Sequence, residues 1–147
     1  MIKKYRLGFT LLEVLVVVSI LGILSAIVII ALNPARQFAR ARNTQRWSNI
    51  NTLLNAVGQR MADNKGVWVT GGACTATLPA VATYIGSGAG LINLAPCVIP
   101  TYMASMVRDP RNGTLANTRY RIVRNANGRI TISAPMQELG EIISVTR

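Results

Sequence analysis

The sequence predicts an α+β chain: a long N-terminal helix, membrane-spanning in its first half, packed on a small antiparallel β-sheet. Three observations carry the prediction. Residues from Phe9 to Leu32 form one apolar run holding a single charge, Glu13. Residues from Ala35 to Ala62 repeat apolar side chains at a helical period. Residues from Thr118 to Ala134 alternate apolar and polar on either side of an Asn-Gly turn signal.

The apolar run decides most of the reading. As a helix rising about 1.5 Å per residue it is roughly 36 Å long, enough to span a hydrocarbon core of about 30 Å. A carboxylate this early in such a segment is expensive, and marks a functional position. A secretory signal peptide does not fit. Its apolar core runs only about 7–15 residues and ends at small residues, whereas this run is longer and encloses Glu13. A plain signal anchor, with Glu13 snorkelling to the interface, stays open on composition alone.

Asn33-Pro34 ends or kinks the run, because proline removes a backbone donor and disfavours helix at the residue before it. Helical pattern then resumes. At about 100° per residue, Trp47, Ile50, Leu53, Leu54, Val57 and Met61 fall within an arc of about 120°. Asn49, Asn51, Thr52, Asn55, Gln59 and Arg60 lie outside it. Trp47 reads as a core anchor, and Asp63-Asn64-Lys65-Gly66 stops the helix.

From Val67 to Asn117 the pattern weakens into an irregular connection with one short strand or helix. Gly86-Ser87-Gly88-Ala89-Gly90 has the look of a phosphate loop. No Lys-Ser/Thr follows it and no long helix opens after it, so nucleotide binding is set aside. The end of the chain is regular again. Tyr120 and Ile122 share one face of a strand, with Arg119 and Arg121 on the other. Asn125-Ala126-Asn127-Gly128 turns the chain, and Ile130 and Ile132 point inward on the return. Pro135 breaks that strand, and Ile142 to Val145 reads as another.

Composition narrows the chemistry. The net charge is +11, from 16 basic and 5 acidic side chains, with no histidine. The carboxylates are Glu13, Asp63, Asp109, Glu138 and Glu141. General acid–base catalysis has almost no material, so no enzyme and no cofactor is expected. Two distant cysteines without a histidine do not make a metal site either. Cys74 and Cys97, an even count in a small exported domain, read as a disulfide; the alternative is two free buried thiols. Closing that loop of about 22 residues adds roughly 3 kcal/mol in the chain-entropy model.

The N-terminal residues MIKKYRLGFTLLE resemble the type IV prepilins and pseudopilins. The basic leader, Gly8, Phe9, Glu13 at its offset and the full-length apolar run occur together. The resemblance covers about the first 35 residues. It implies that a membrane peptidase cuts between Gly8 and Phe9 on the cytoplasmic side, and that Phe9 is then N-methylated. Glu13 becomes the fifth residue of the mature chain, where it pairs with the N-terminal amine of a neighbouring Phe9. Loss of Lys3, Lys4 and Arg6 leaves a net charge of +8 from 13 basic and 5 acidic side chains.

The implied organisation is a leader at 1–8, a transmembrane and filament-core helix at 9–35, and an extracytoplasmic head at 36–147. Within the head, the amphipathic helix covers about 36–62, the irregular disulfide loop about 66–117 and the β-sheet about 118–147. The implied role is a structural subunit of a type IV pilus or pseudopilus. It would polymerise with copies of itself and other pilins, after handling by a prepilin peptidase/methylase and an inner-membrane assembly platform. It starts in the bacterial cytoplasmic membrane, among lipid, with its N-terminus inside, and ends in an extracellular filament. The positive-inside count is close to a tie, with Arg36, Arg40, Arg42 and Arg46 following the run. The orientation therefore rests on the need for a cytoplasmic Gly8. Gly22, Ser25 and Ala26 are small enough to let helices approach, and are also ordinary in membrane helices.

Asp109-Pro110-Arg111-Asn112-Gly113 resembles an Asp-Pro turn common in the family. Some pseudopilins bind calcium near that point. One carboxylate is too little for such a site, so Asp109 is a turn former. The alternative reading is a membrane-anchored minor pilin or binding module. It would contact nucleic acid through a candidate basic patch of Arg119, Arg121, Arg124 and Arg129. Against it, aromatic residues make up only 5% of the chain, so no base-stacking platform is visible.

Overall fold

The computed structural model describes residues 8–147, so Lys3, Lys4 and Arg6 lie outside the described residues. Two compact units are present. The first ends at Gln37 and the second, the head, is Phe38–Arg147.

The first unit is built on α1, Leu11–Leu32. Thr10 caps it in an extended conformation, its Oγ1 accepting from the Glu13 backbone N–H at 3.2 Å. That satisfies one of the donors a helix start leaves orphaned. None of its residues is buried within the chain. Ser19 and Ser25 donate their hydroxyls back to the Leu15 and Leu21 carbonyls, at 2.8 and 2.7 Å, so neither asks for an external partner. Asn33 ends α1 in the left-handed region at φ 43. Pro34 is then the first residue of α2, Pro34–Asp63. Proline is at home there, where its missing N–H would have no partner anyway. The dipeptide therefore ends one helix and opens the next.

In the head, α2 supplies one wall of the core through Ile50, Leu53, Leu54 and Val57. The opposite wall is a four-stranded antiparallel sheet in the order β1-β2-β3-β4: Thr83–Tyr84, Arg121–Arg124, Ile130–Ser133 and Ser144–Thr146. Ile122, Ile130 and Ile132 face α2 together with Tyr120, just before β2. Ile122 stands opposite Ile132 and Arg124 opposite Ile130, which puts the alternating apolar set on one face. The strands are shorter than the alternation suggests, and β4 starts at Ser144, with Ile142 outside it and exposed.

The hairpin turn differs from a two-residue Asn-Gly turn. Asn125 N–H donates to the Arg129 carbonyl at 2.8 Å, and Gly128 N–H to the Asn125 carbonyl at 2.9 Å. Gly128 sits at φ 82. This is a three-residue loop closed by a left-handed glycine, a geometry that needs no side chain at its last position.

The connection contains both a strand, β1, and a helical turn, α3, Ala95–Val98. The Cys74–Cys97 disulfide ties it together. Arg60 near the end of α2 reaches across to it, donating to the Cys97 and Val69 carbonyls at 2.9 Å each and lying over the Trp68 ring. The glycine-rich stretch has a structural use. A Cβ at Gly86 would collide with the Ala116 backbone. The N–H groups of Gly86, Ser87 and Gly88 go to the carbonyls of Ile92, Leu115 and Ala116. A phosphate would find those donors already taken.

Candidate functional site

The N-terminal site residues lie at the start of α1. Gly8 and Phe9 precede the helix and are exposed, Phe9 at 83%. Glu13 stands at the third helical position, three residues after Thr10. That spacing matches a capping box, in which the acidic side chain returns a bond to the cap residue's N–H. Only the Thr10 half is made. Among the described residues the Glu13 side chain has no hydrogen bond and no ion pair, and it is exposed. The helix dipole favours a negative charge at this end. Beyond that, the carboxylate has no side-chain partner among the described residues.

A second constellation, in the head, was not anticipated. Arg46 is fully buried. Its Nε donates to Asp109 Oδ2 at 2.6 Å and its Nη2 to Oδ1 at 3.3 Å. Its Nη1 serves Asn43 Oδ1 at 2.9 Å and Glu138 Oε2 at 3.0 Å. Arg42 grips Glu138 with two parallel bonds, at 2.7 and 2.8 Å, the strong bidentate form. Asn43 donates to the Glu138 carbonyl and to Glu141, and Trp47 Nε1 donates to Glu141 at 2.7 Å. The Arg42 and Arg46 guanidiniums hold the Glu138 carboxyl at about 2, with the Arg42 hydrogen bond the largest cause. Bonds from Trp47, then Asn43, lower that of Glu141.

This network changes several sequence-based assignments. Trp47 is half-buried and packs against the core as expected, and its Nε1 also holds a carboxylate. Asn49, placed outside the apolar arc, is buried and donates to the Tyr120 hydroxyl at 2.8 Å and the Arg108 carbonyl at 3.0 Å. Burial pushes the Tyr120 phenol up to about 12. Asp109 does form a turn, accepting from the Arg111 and Asn112 N–H groups, and it is also the buried counter-ion of Arg46. One signal was available. The buried face of α2 continues N-terminally at a helical period through Ile50, Arg46, Asn43 and Ala39, so polar residues occupied core positions.

The four hairpin arginines are not brought onto one face. Arg121 lies over the Tyr84 ring, 4.3 Å from its centroid, and donates to its hydroxyl at 2.8 Å. Arg124, three residues on, belongs to the other face by strand alternation. Arg119 is half-buried at φ 67, whereas Arg124 and Arg129 are exposed.

Residues 3–29 match a family model described as the prokaryotic N-terminal methylation motif. These residues thus carry the type IV prepilin signature, which supports a type IV pilin-like protein. No curated protein and no solved structure matches the chain. Among the described residues α1 is one helix long and apolar enough to cross a membrane, as fits a membrane-anchored pilin.

Proposed function

We propose that the chain is a structural subunit of a type IV pilus or pseudopilus, polymerising through α1 once its leader is cut between Gly8 and Phe9. The observation that carries this reading is a Glu13 carboxylate with no partner among the described residues, on a helix with no residue buried. Such a helix is stable in lipid or among other apolar helices, and unstable in water. Moving from lipid into a fibre exchanges one apolar surrounding for another, so extraction loses little provided neighbours are present. Glu13 then sets register. An α-amino group of ordinary pKa, about 8, is positive at neutral pH, and N-methylation of Phe9 retains that charge. A neighbour's Phe9 amine is therefore the fitting counter-ion for a carboxylate in an apolar surrounding.

The test is Glu13→Leu, expressed with the cognate peptidase and assembly machinery. Removing a charge from an apolar helix leaves insertion and cleavage intact. Sheared surface fibre, measured against total membrane-bound subunit, should fall at least ten-fold. Wild-type fibre yield would end the register role. A second reading has one observation behind it: Arg124 and Arg129 are exposed and in no ion pair among the described residues. A monomeric module that holds nucleic acid there would stay with membranes on shearing and release phosphate backbone as salt rises.

A further inference from the structure

Two exposed features of the head complement each other in apolar character and charge, and they lie at opposite ends of its part of α2. The first is a knob on the segment between β3 and β4. Leu139 adopts φ 62 and Gly140 φ 71. A bulky side chain in the left-handed region is a genuine outlier, and this one stays more than half exposed. Leu139 is 53% exposed and Ile142 81%. The loop is nonetheless held firmly, because Glu138 and Glu141 are bonded to Arg42, Asn43, Arg46 and Trp47. The strained backbone thus presents apolar side chains to solvent. Glu141, between them, takes its bonds from neutral donors. Like Asp63, it is a head carboxylate outside any ion pair among the described residues.

The second feature is a groove of about 540 Å³ whose walls are mostly apolar, including Leu54, Gly58, Met61 and Ile130. Arg147 stands at its edge, bonded to the neutral Asn55 and in no ion pair among the described residues. A Cβ added at Gly58 would meet nothing within 4 Å, so this glycine keeps the groove open without serving the fold.

The geometry points to a docking contact between copies of this chain. Leu139 and Ile142 of one copy enter the groove beside Gly58 of the next, and Glu141 meets Arg147. Charge selects this occupant. The head is strongly basic and holds few carboxylates, and this pairing joins a carboxylate and a guanidinium that are each in no ion pair among the described residues. The two features also have the right polarity. The knob is held at the level of residues 42–47 and the groove lies at 54–62, roughly 20 Å apart along α2 at about 1.5 Å per residue. A contact between unlike surfaces does not close at a dimer, and repeats into a row. The area is small against the roughly 1,200 Å² of a stable interface. The contact therefore works where α1 already gathers the heads, at high effective concentration. The inference rests on the filament reading above.

The experiment uses the full chain with its assembly machinery. Gly58→Leu fills the groove from a Cβ that meets nothing in its own head, and Ile142→Arg removes the knob; each should lower sheared fibre at least five-fold while membrane-bound subunit stays at wild-type level. Glu141→Arg should do the same, and Arg147→Glu in the same chain should restore fibre. Co-expressed Gly58→Cys and Ile142→Cys subunits should form an intermolecular disulfide within fibres, visible as a dimer on a non-reducing gel. Fibres at wild-type yield in Gly58→Leu and Ile142→Arg, or fibres without that cross-link, would overturn the docking contact and leave the filament reading standing. An unmutated chain that yields no fibre would overturn both.

Discussion

Asp109→Ala tests the buried ion pair that joins α2 to the turn after Val107. Arg46 and Asp109 both have 0% side-chain exposure, and the pair is 2.6 Å long. Truncation leaves a guanidinium in the interior with its main counter-ion gone. Breaking a buried pair from one side costs about 3–5 kcal/mol. Glu138 still reaches Arg46 Nη1 at 3.0 Å, so the lower end, about 3 kcal/mol, applies. For a head of this size each kcal/mol moves Tm by about 4–8 °C, which sets the expected loss at about 12–24 °C. The measurement is a thermal melt of the full chain in detergent micelles at pH 7, followed by near-ultraviolet circular dichroism of its aromatic residues. Asp109→Asn separates the two jobs of the carboxylate, since it keeps an acceptor for the Arg111 and Asn112 N–H groups and removes the charge. Replacing both partners, Arg46→Leu with Asp109→Leu, should recover most of the loss, because no buried charge then remains unpaired. A Tm for Asp109→Ala within 3 °C of the wild type would refute the assignment of Arg46 as a charge that depends on Asp109.

Three further outcomes are expected. The folded head holds the Glu138 carboxyl at about 2 against an ordinary 4.5. The unfolded chain then binds more protons between those values, so this contribution is complete above about pH 4.5 and is lost as pH falls toward 2. Glu138→Gln should flatten that part of the curve of Tm against pH. Gly8→Ala should leave the chain at precursor length when it is co-expressed with the peptidase, read by intact mass; a processed product would move the cleavage site elsewhere. Cys74→Ser should destabilise the head by about 3 kcal/mol, the chain-entropy value for a loop of this length, and an unchanged melting point would show that Arg60 and α3 hold the connection without the covalent link.

Much of the architecture was legible from local pattern. A helix declares itself through a repeat within its own residues, and so do alternating strands, so α1, α2 and the β2–β3 hairpin could be read before any tertiary contact was known. The cysteine pair was legible by count. The connection from Val67 to Asn117 was not, because its shape comes from Arg60, the disulfide and backbone bonds to distant carbonyls. Nor does alternation alone tell that Arg121 spends its guanidinium on Tyr84.

By itself the sequence determined the parts whose physics is local. The apolar run can rest only in lipid or against other apolar helices, the leader and Gly8-Phe9 with Glu13 form a linear signature, and the period of α2 places its core face. Only the tertiary structure decided the ionic partners. Arg46 meets Asp109 and Glu138 from sequence distances of 63 and 92 residues, and any of the head's arginines could have been matched to any of its carboxylates on charge alone. Coulombic attraction has no sequence register. Its partners are chosen by the fold that brings them within bonding distance and removes the water between them.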